Sequence, residues 1–463
     1  MGVMSNEPEP SITFCGGTGT VTGANFLFEL PVFRDSSKTQ KILIDCGLFQ
    51  GGKVVENRNR DTFPYDPSTI DALFVTHGHL DHIGRIPKLV RNGFRGAIYS
   101  TPPTRDLAEL MLIDSLGVMS KEAKTHHEPL LYSESDVHAA IKLWRTLGYH
   151  EPLELNGVKV VLRDAGHILG SAMVDFTAVF GKVVFTGDLG NSPEPLLNDT
   201  EAITDANYLV IESVYGDRRH ENVAERSTLL KSAIRETIDA GGNLLIPAFS
   251  IERTQEILHE LEHMVAEGAI PPIPIYLDSP LAIRVTNVYT KSRPYLHKKL
   301  TDPNKIKDGL FNFPNLRKTP TTEESKAIPG GGRKVIIAGS GMSNGGRIIH
   351  HEKRYLSDPK STLLLIGYQA VGSLGRQLQD GARRVRILGQ DIRVRARVVT
   401  LSGYSAHRDS DGLVEFVEKT SSTLRRAFVT MGEPKSSLFL AQRLRDYLGV
   451  DAIVPRLGEK FVL

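Results

Sequence analysis

The sequence predicts an α/β protein, on three observations. Short β-rich runs separated by glycine-rich or polar loops fill the first part of the chain, strands and helices alternate from about residue 205, and strands return from about residue 393. The alternation in the middle favours a parallel, doubly wound sheet. The length agrees: 463 residues make about three domain-lengths of ~150 residues each, enough to bury a large core without disulfides or other staples.

The early strands are read at residues 12–15, 25–30, 41–45 and 72–76, where β-branched and aromatic residues lie between loop residues. The loop Gly16-Gly17-Thr18-Gly19-Thr20-Val21-Thr22-Gly23 lacks a following Lys-Ser/Thr and a clear helix. It reads as a tight strand connection rather than a phosphate loop. A strand at 208–211 opens the middle part. Ser227 precedes a helix whose apolar residues Leu230, Ala233, Ile234 and Ile238 have helical spacing, and Gly241-Gly242 stops it. A strand at 244–246, a helix carrying Ile257, Leu258, Leu261 and Met264, and strands at 273–277, 335–338 and 363–366 follow. Residues 290–332, rich in Lys, Pro and Gly, read as an irregular connection. The last part holds one amphipathic helix (Leu440, Leu444, Tyr447) and a final strand.

Hydrophobic residues make up 40% and charged residues 24%, as in a soluble globular protein rather than a disordered chain. No window approaches the ~18 apolar residues of a membrane span. The opening MGVMSNEPEP lacks a basic region and an apolar core, so no signal peptide is expected. The cysteines, Cys15 and Cys46, are too few for a disulfide framework or a Cys-based zinc site, and read as small buried strand residues. These features point to the cytoplasm. Lys+Arg is 56 against 54 for Asp+Glu, a net +2, so a nucleic-acid partner has to be met by a local patch.

The densest polar cluster is His77-Gly78-His79-Leu80-Asp81-His82, just past a strand. Imidazole and carboxylate are ligands of zinc and similar divalent ions. With 15 His in 463 residues, three at fixed positions plus one Asp arise by chance roughly once in a thousand such chains, so the motif is a strong signal. Alternate residues in an extended stretch diverge, so His77 and His79 suit one ion while Asp81 and His82 suit its neighbour. His167 sits in Asp164-Ala165-Gly166-His167-Ile168-Leu169-Gly170, and Asp188 follows the apolar run Val183-Val184-Phe185-Thr186-Gly187. Each is weak alone; beside the first cluster they suggest a split binuclear site. Asp45, ending Leu43-Ile44-Asp45, is placed to orient a ligand histidine from behind, or else is a turn residue before glycine.

The series Asp45, His77-x-His79-x-Asp81-His82, His167, Asp188 resembles the metallo-β-lactamase fold. Ile211-Glu212-Ser213-Val214-Tyr215-Gly216-Asp217-Arg218 resembles the start of the β-CASP insertion, which marks the nuclease branch with the cleavage and polyadenylation specificity factor endonuclease, ribonuclease J and Artemis. Pro247-Ala248-Phe249, Arg253-Thr254-Gln255, Asp278-Ser279-Pro280-Leu281-Ala282 and Ser340-Gly341-Met342 continue it, and Ser402-Gly403-Tyr404-Ser405-Ala406-His407-Arg408-Asp409 resembles the histidine motif at its exit. The likeness runs from residue 11 to 463 and is to the stand-alone prokaryotic relatives of the polyadenylation-factor endonuclease.

The resemblance implies a metallo-β-lactamase αββα sandwich with an inserted β-CASP domain, divided as 1–205, 206–394 and 395–463. It implies a metal-dependent ribonuclease of RNA processing or decay that leaves a 5′-phosphate and a 3′-hydroxyl. One zinc would take His77, His79, His167 and Asp188; a second would take Asp81, His82 and the bridging Asp188. His407 would be the general acid for the leaving oxygen, with Glu212 hydrogen-bonded behind it; Asp81 and Asp45 complete the catalytic set. Single-stranded RNA is the implied partner, a homodimer is compatible, and no membrane is involved.

One position departs. Where RNA-cleaving members carry the His of a His-Gly-Glu motif, a ligand of the second zinc, this chain has Met431-Gly432-Glu433. A thioether suits Cu(I) better than zinc, so a weak second site is expected. The DNA-cleaving branch has an apolar residue there. A DNA nuclease of the superfamily, or a weakly active or non-catalytic RNA-binding relative, is therefore the alternative. A thioester or lactone hydrolase would share the metal motif but need neither the insertion nor His407.

For substrate contacts, Ser340 and Gly341 follow a strand and Gly345-Gly346 lies near a helix start, where backbone N–H groups hold phosphate; a plain strand-to-helix turn is the other reading. From Arg376 to Arg397 seven arginines face two aspartates, a local excess of +5. Arg393, Arg395 and Arg397 alternate with Val394, Ala396 and Val398, the pattern of one strand face, which either follows a phosphate backbone or is simply solvated. His126-His127 and His350-His351 have no partner motif.

Overall fold

The computed structural model describes residues 9–32, 35–220, 225–300, 309–330, 332–367, 369–370 and 372–463. Residues 1–8 of the opening segment read for a signal peptide lie outside the described residues. The chain forms two compact units, Met1–Arg219 with His407–Leu463, and His220–Ala406. In chain order the strands are β1 Ser11–Phe14, β2 Phe26–Val32, β3 Asp35–Ile44, β4 Ala72–Phe74, β5 Ala97–Ser100 and β6 Trp144–Thr146. Then come β7 Leu153–Leu155, β8 Val158–Asp164, β9 Ala172–Ala178, β10 Gly181–Phe185 and β11 Tyr208–Glu212. The second unit holds β12 Leu244–Pro247, β13 Ile275–Leu277, β14 Leu316–Lys318, β15 Val335–Ala338, β16 Thr362–Ile366, β17 Arg384–Ile387, β18 Gln390–Arg393 and β19 Arg397–Leu401. The last strands are β20 Arg426–Thr430, β21 Ala452–Ile453 and β22 Lys460–Val462.

The first unit is a sandwich of two seven-stranded sheets, ordered β22-β1-β2-β3-β4-β5-β6 and β21-β20-β11-β10-β9-β8-β7. Alternation along the strands builds its layers. Phe26 and Phe28 of β2, Ile42 and Ile44 of β3 and Phe74 of β4 join Val174, Phe176, Phe185 and Phe428 between the sheets. Leu27, Leu43 and Leu73 point the other way, against helices Ile86–Arg91, Pro102–His126 and Glu134–Leu143. Helices Ser410–Glu418 and Pro434–Leu448 cover the outer face of the second sheet through Leu413, Phe416, Leu440 and Leu444. Each such buried side chain contributes roughly 1.5–3 kcal/mol by leaving water, and three apolar clusters, one between the sheets and one on each outer face, hold the four layers. Tyr208–Glu212 belongs to this unit, because β11 pairs with both β10 and β20; the passage into the second unit falls at Arg219/His220 and the return at Ala406/His407.

The second unit carries an all-parallel six-stranded sheet, β14-β13-β15-β12-β16-β19, and a β17–β18 hairpin. Helix Arg226–Asp239 buries the expected Leu230, Ala233, Ile234 and Ile238, and helix Arg253–Ala266 buries Ile257, Leu258, Leu261 and Met264.

Three expectations are corrected. The arginine-alternating run is not one strand: β18 ends at Arg393 and β19 begins at Arg397, and Arg395 spends its backbone N–H on the Leu356 carbonyl at 2.8 Å. The described part of 290–332 is not wholly irregular: β14 and helix Thr322–Ala327, closed by a capping box from Thr321 and Glu324, lie within it, while 301–308 and 331 fall outside the described residues. Tyr447 is 69% exposed and takes no part in the buried face of its helix. Among the described residues no helix is long and apolar enough to cross a membrane.

Candidate metal centre

Every candidate ligand sits at the carboxyl end of a strand or in the loop or short helix after it, all within the first unit. β4 delivers Thr76 and His77; His79 then occupies the N-cap of the short helix Leu80–Ile83, which holds Asp81 and His82. The neighbouring loop clamps this turn: Cys46 N–H donates to the His82 carbonyl (2.8 Å), Leu48 N–H to that of Leu80 (2.8 Å), and Ala24 N–H to that of Asp81 (2.9 Å). A Cβ on Gly47 would stand 1.5 Å from the Asp81 carbonyl oxygen, so only glycine fits. His167 follows β8, its backbone N–H held by Ser171 Oγ at 3.0 Å. Asp188 follows β10, past Gly187, whose positive φ lets the chain pass against Thr76. Glu212 ends β11.

Two clusters share Asp188. In the first, His77 Nε2 stands 3.1 Å from His79 Nδ1 and 3.4 Å from Asp188 Oδ2, and His167 Nε2 stands 3.3 Å and 3.6 Å from the same two atoms. A tetrahedral site with ~2.0–2.2 Å bonds spaces its donors roughly 3.3–3.6 Å apart. These four therefore fit one four-coordinate divalent ion. In the second, His82 Nε2 lies 3.4 Å from Asp188 Oδ1 and 3.9 Å from Asp81 Oδ2. His82 Nε2 and Asp188 Oδ1 are buried with no hydrogen-bond partner, which is costly unless something else meets them. Asp188 thus turns one carboxylate oxygen to each cluster, the arrangement of a bridging ligand.

Behind the ligands, Asp45 accepts from His82 Nδ1 (2.7 Å) and from Thr76 N–H and Oγ1 (both 2.8 Å). That fixes the His82 tautomer with Nε2 toward Asp188. Burial and the neighbouring His82 push His77 well below the usual imidazole range, leaving a neutral donor. Burial would raise Asp188, but His82 and His77 hold it well below the usual carboxylate range. Burial pushes Asp81 up to about 6.

The third group is Asp188, Glu212 and His407. His407 Nδ1 lies 3.3 Å from the Glu212 carboxylate and 3.9 Å from Asp188 Oδ2. Glu212 is itself anchored by Leu189 N–H at 2.6 Å. Burial alone would lower His407, but Glu212 reverses this and the imidazole is pushed up to about 9.

Met431 lies in the apolar core of the first unit. It is 2% exposed and packs in the inter-sheet core, its sulfur so close to Gly17 that a Cβ there would stand 2.6 Å from it. The second cluster has three donors where the first has four. Ser340, Gly341 and Arg395 lie in the second unit. Ser340 Oγ accepts from Asn344 N–H (3.0 Å) at the turn before helix Ile348–Tyr355, and a Cβ on Gly341 would meet the Phe249 ring. His351 is a buried structural residue, 2.7 Å from Asp278. Cys15 and Cys46 are buried, and burial pushes their thiols up to about 12 and about 11. Sequence reading missed Thr76, whose hydroxyl joins Asp45 to the histidine pair; its position directly before His77 was the signal.

Comparison with known proteins gives a consistent set. Residues 32–237 match the family model for the metallo-beta-lactamase superfamily, 254–378 that for the Beta-Casp domain, and 391–455 that for the Zn-dependent metallo-hydrolase RNA specificity domain. Ribonuclease TTHA0252 of Thermus thermophilus is 38% identical over 91% of this chain and 94% of its own length. An RNase J-like protein of Methanocaldococcus jannaschii is 33% identical over 91% and 94%, and the transcription termination factor FttA of Methanosarcina mazei 32% over 95% and 69%. A crystal structure of a protein of unknown function from Enterococcus faecalis V583 covers 98% of this chain and 100% of its own, with TM-score 0.53 at 12% identity, a likeness of fold alone.

Proposed function

Because this chain belongs to the metallo-beta-lactamase superfamily and carries its Beta-Casp domain, we propose that it is a zinc-dependent ribonuclease of RNA processing or decay, leaving a 5′-phosphate and a 3′-hydroxyl. That it is a hydrolytic nuclease binding divalent metal follows from the family and its ribonuclease relatives; the metal's identity, the products and the cellular role are our reading. The observation that carries it is the His407–Glu212 pair set against Asp188, the carboxylate both ligand clusters share.

His77, His79, His167 and Asp188 would hold one ion and Asp81, His82 and Asp188 a second. Bound ions of this kind make water nucleophilic at neutral pH and neutralise charge on a phosphate. Asp45 and Thr76 keep the histidines aimed. Glu212 faces His407 Nδ1, which leaves Nε2 to give its proton to the departing 3′-oxygen, so that the upstream fragment ends in a hydroxyl and the phosphate stays on the downstream one. Backbone N–H groups at Ser340 and Gly341, and the Arg395 side chain, would take substrate phosphates. The protein would act in the cytoplasm, and a homodimer is part of the reading.

The test is to incubate purified protein with end-labelled single-stranded RNA and DNA, with and without chelator, and to map the products. Metal-dependent cutting of RNA to 5′-phosphate ends is expected. Cutting of DNA in preference to RNA replaces the substrate, and activity that survives chelation with less than about one metal per chain removes the mechanism.

A further inference from the structure

We propose that the outer face of the β17–β18 hairpin is a docking surface for the phosphate backbone of single-stranded RNA, away from the metal ligands in sequence and in a different structural unit. The proposal rests on the ribonuclease reading for the identity of its partner.

The hairpin is firmly seated. Val385 and Ile387 are buried with Leu356 and Leu378, and Ile392 packs against that cluster. The strands pair in register, Arg384 opposite Arg393 and Arg386 opposite Asp391, through a two-residue turn in which Leu388 and Gly389 both have positive φ. Such turns match the twist of paired strands and hold the register. Period-two alternation then puts Arg384, Arg386, Asp391 and Arg393 together on the outer face, and all four are exposed.

The charge pattern needs an explanation. Like charges directly across a pair of strands destabilise it, yet Arg384 faces Arg393. None of Arg384, Arg386 and Arg393 forms an ion pair with a described residue, and neither do Arg383 and Arg395, which flank the hairpin. By contrast Arg376 and Arg397, at the two ends of the arginine-rich segment, are paired with Asp380 and Glu236. The segment thus neutralises its ends and leaves its centre open. Alternate strand residues stand roughly 6.8 Å apart, a step that suits successive phosphates of an extended single strand. Guanidinium forks bind phosphate oxygens in a bidentate way, and such contacts position a nucleic acid without reading its sequence.

Binding to a 20-nucleotide single-stranded RNA is measured by fluorescence anisotropy across a salt series, in a His407→Ala background that keeps the RNA intact. It is repeated with Arg384→Gln, Arg386→Gln and Arg393→Gln combined. Each phosphate contact to a single strand contributes about 0.7 to the salt slope. The triple variant should therefore lose about 2 from the slope and bind about tenfold to a hundredfold more weakly at 0.1 M salt. The loss should be the same for unrelated sequences, with metal content and melting temperature unchanged. An unchanged slope and affinity, beside RNA binding by the parent protein, overturns the proposal alone. Absence of RNA binding by either protein overturns it together with the ribonuclease reading, which wild-type cleavage of the same RNA tests separately.

Discussion

The two sides of Asp188 differ in a way that the motif alone does not reveal. On the Oδ2 side four donors converge at 3.1–3.6 Å, three of them imidazoles from two loops. On the Oδ1 side, among the described residues, Asp81 and His82 join it. A site with four preset protein donors needs nothing else to close it, whereas a site with three leaves a position for water or substrate. On the proposed reading the first cluster would hold its ion tightly and the second would leave its ion open to water or substrate.

The largest effect should come from the group common to both sides. Loss of a partner behind one ligand typically costs 10–100-fold in metal affinity or activity. Asp188→Asn weakens a direct donor in each of two clusters, so activity should fall by about 10²–10⁴-fold or more, the product of two such losses. Metal content should fall with it. His167→Ala removes a donor from the first cluster only; if it strips both sites equally, the clusters are not independent. Elemental analysis beside the rate assay separates these outcomes.

Proton transfer comes next. His407→Ala should slow RNA cleavage by roughly 10²–10⁴ with metal content kept. Glu212→Gln should act in the same direction, and the double variant should be little worse than the His407 single, because groups acting as a unit are not additive. The pH profile gives the sign. Glu212 raises His407 to about 9, so the acid form is complete at neutral pH and is lost as pH rises through about 9. The wild-type rate should fall on that alkaline limb. In Glu212→Gln the limb should move to lower pH, and in His407→Ala it should vanish. A limb that stays in the alanine variant belongs to another group.

Asp45→Ala should cost less, about 10–100-fold in metal affinity. It frees His82 Nδ1 and Thr76 together. The loss should fall mainly on the second cluster, because His82 belongs to that side alone and bonds Asp45 directly, whereas His77 is reached through Thr76. Competition titration with a chelator reads the two sites separately, and an equal weakening of both would erase the asymmetry.

How much of this was legible depends on how local each feature is. The triplet His77, His79 and His82 lies within six residues and announces itself. The strands at 335–338 and 363–366 are continuous apolar runs, and the structure places strands at Val335–Ala338 and Thr362–Ile366. His407 and Glu212, 195 residues apart, carry no such signal, and only the family resemblance paired them. Helix Pro102–His126, the longest among the described residues, was not read at all. Its buried stripe includes Thr104, Ala108 and Ser115 while Val118 is exposed, so polarity and burial do not coincide along it. The arginine row failed for a related reason: alternation over 393–398 looks like a strand, but the backbone N–H groups of Arg395 and Ala396 both go to Leu356 and interrupt it.

The smallest and sharpest test concerns Met431. The family resemblance puts a ligand histidine at this position, and the structure puts the Met431 side chain in the core beside Gly17. Packing of Met431 in that core accounts for the side chain without a sulfur ligand, and the position on the three-donor side is left for water or substrate. Met431→His should add an imidazole to that side and tighten the second site, by about the 10–100-fold that a supporting partner is worth, or more. Without metal the same ring is a polar group in an apolar layer with Phe14, Phe26 and Phe428, which costs about 1–3 kcal/mol when it finds no partner. The variant should melt lower than wild type when stripped of metal and recover as metal is added, because an ion that binds only the folded state stabilises it. Wild type should show one tight and one weak site, with activity that rises on adding zinc or manganese. Two equally tight sites in both proteins would show that three donors suffice and that the asymmetry across Asp188 has no thermodynamic consequence.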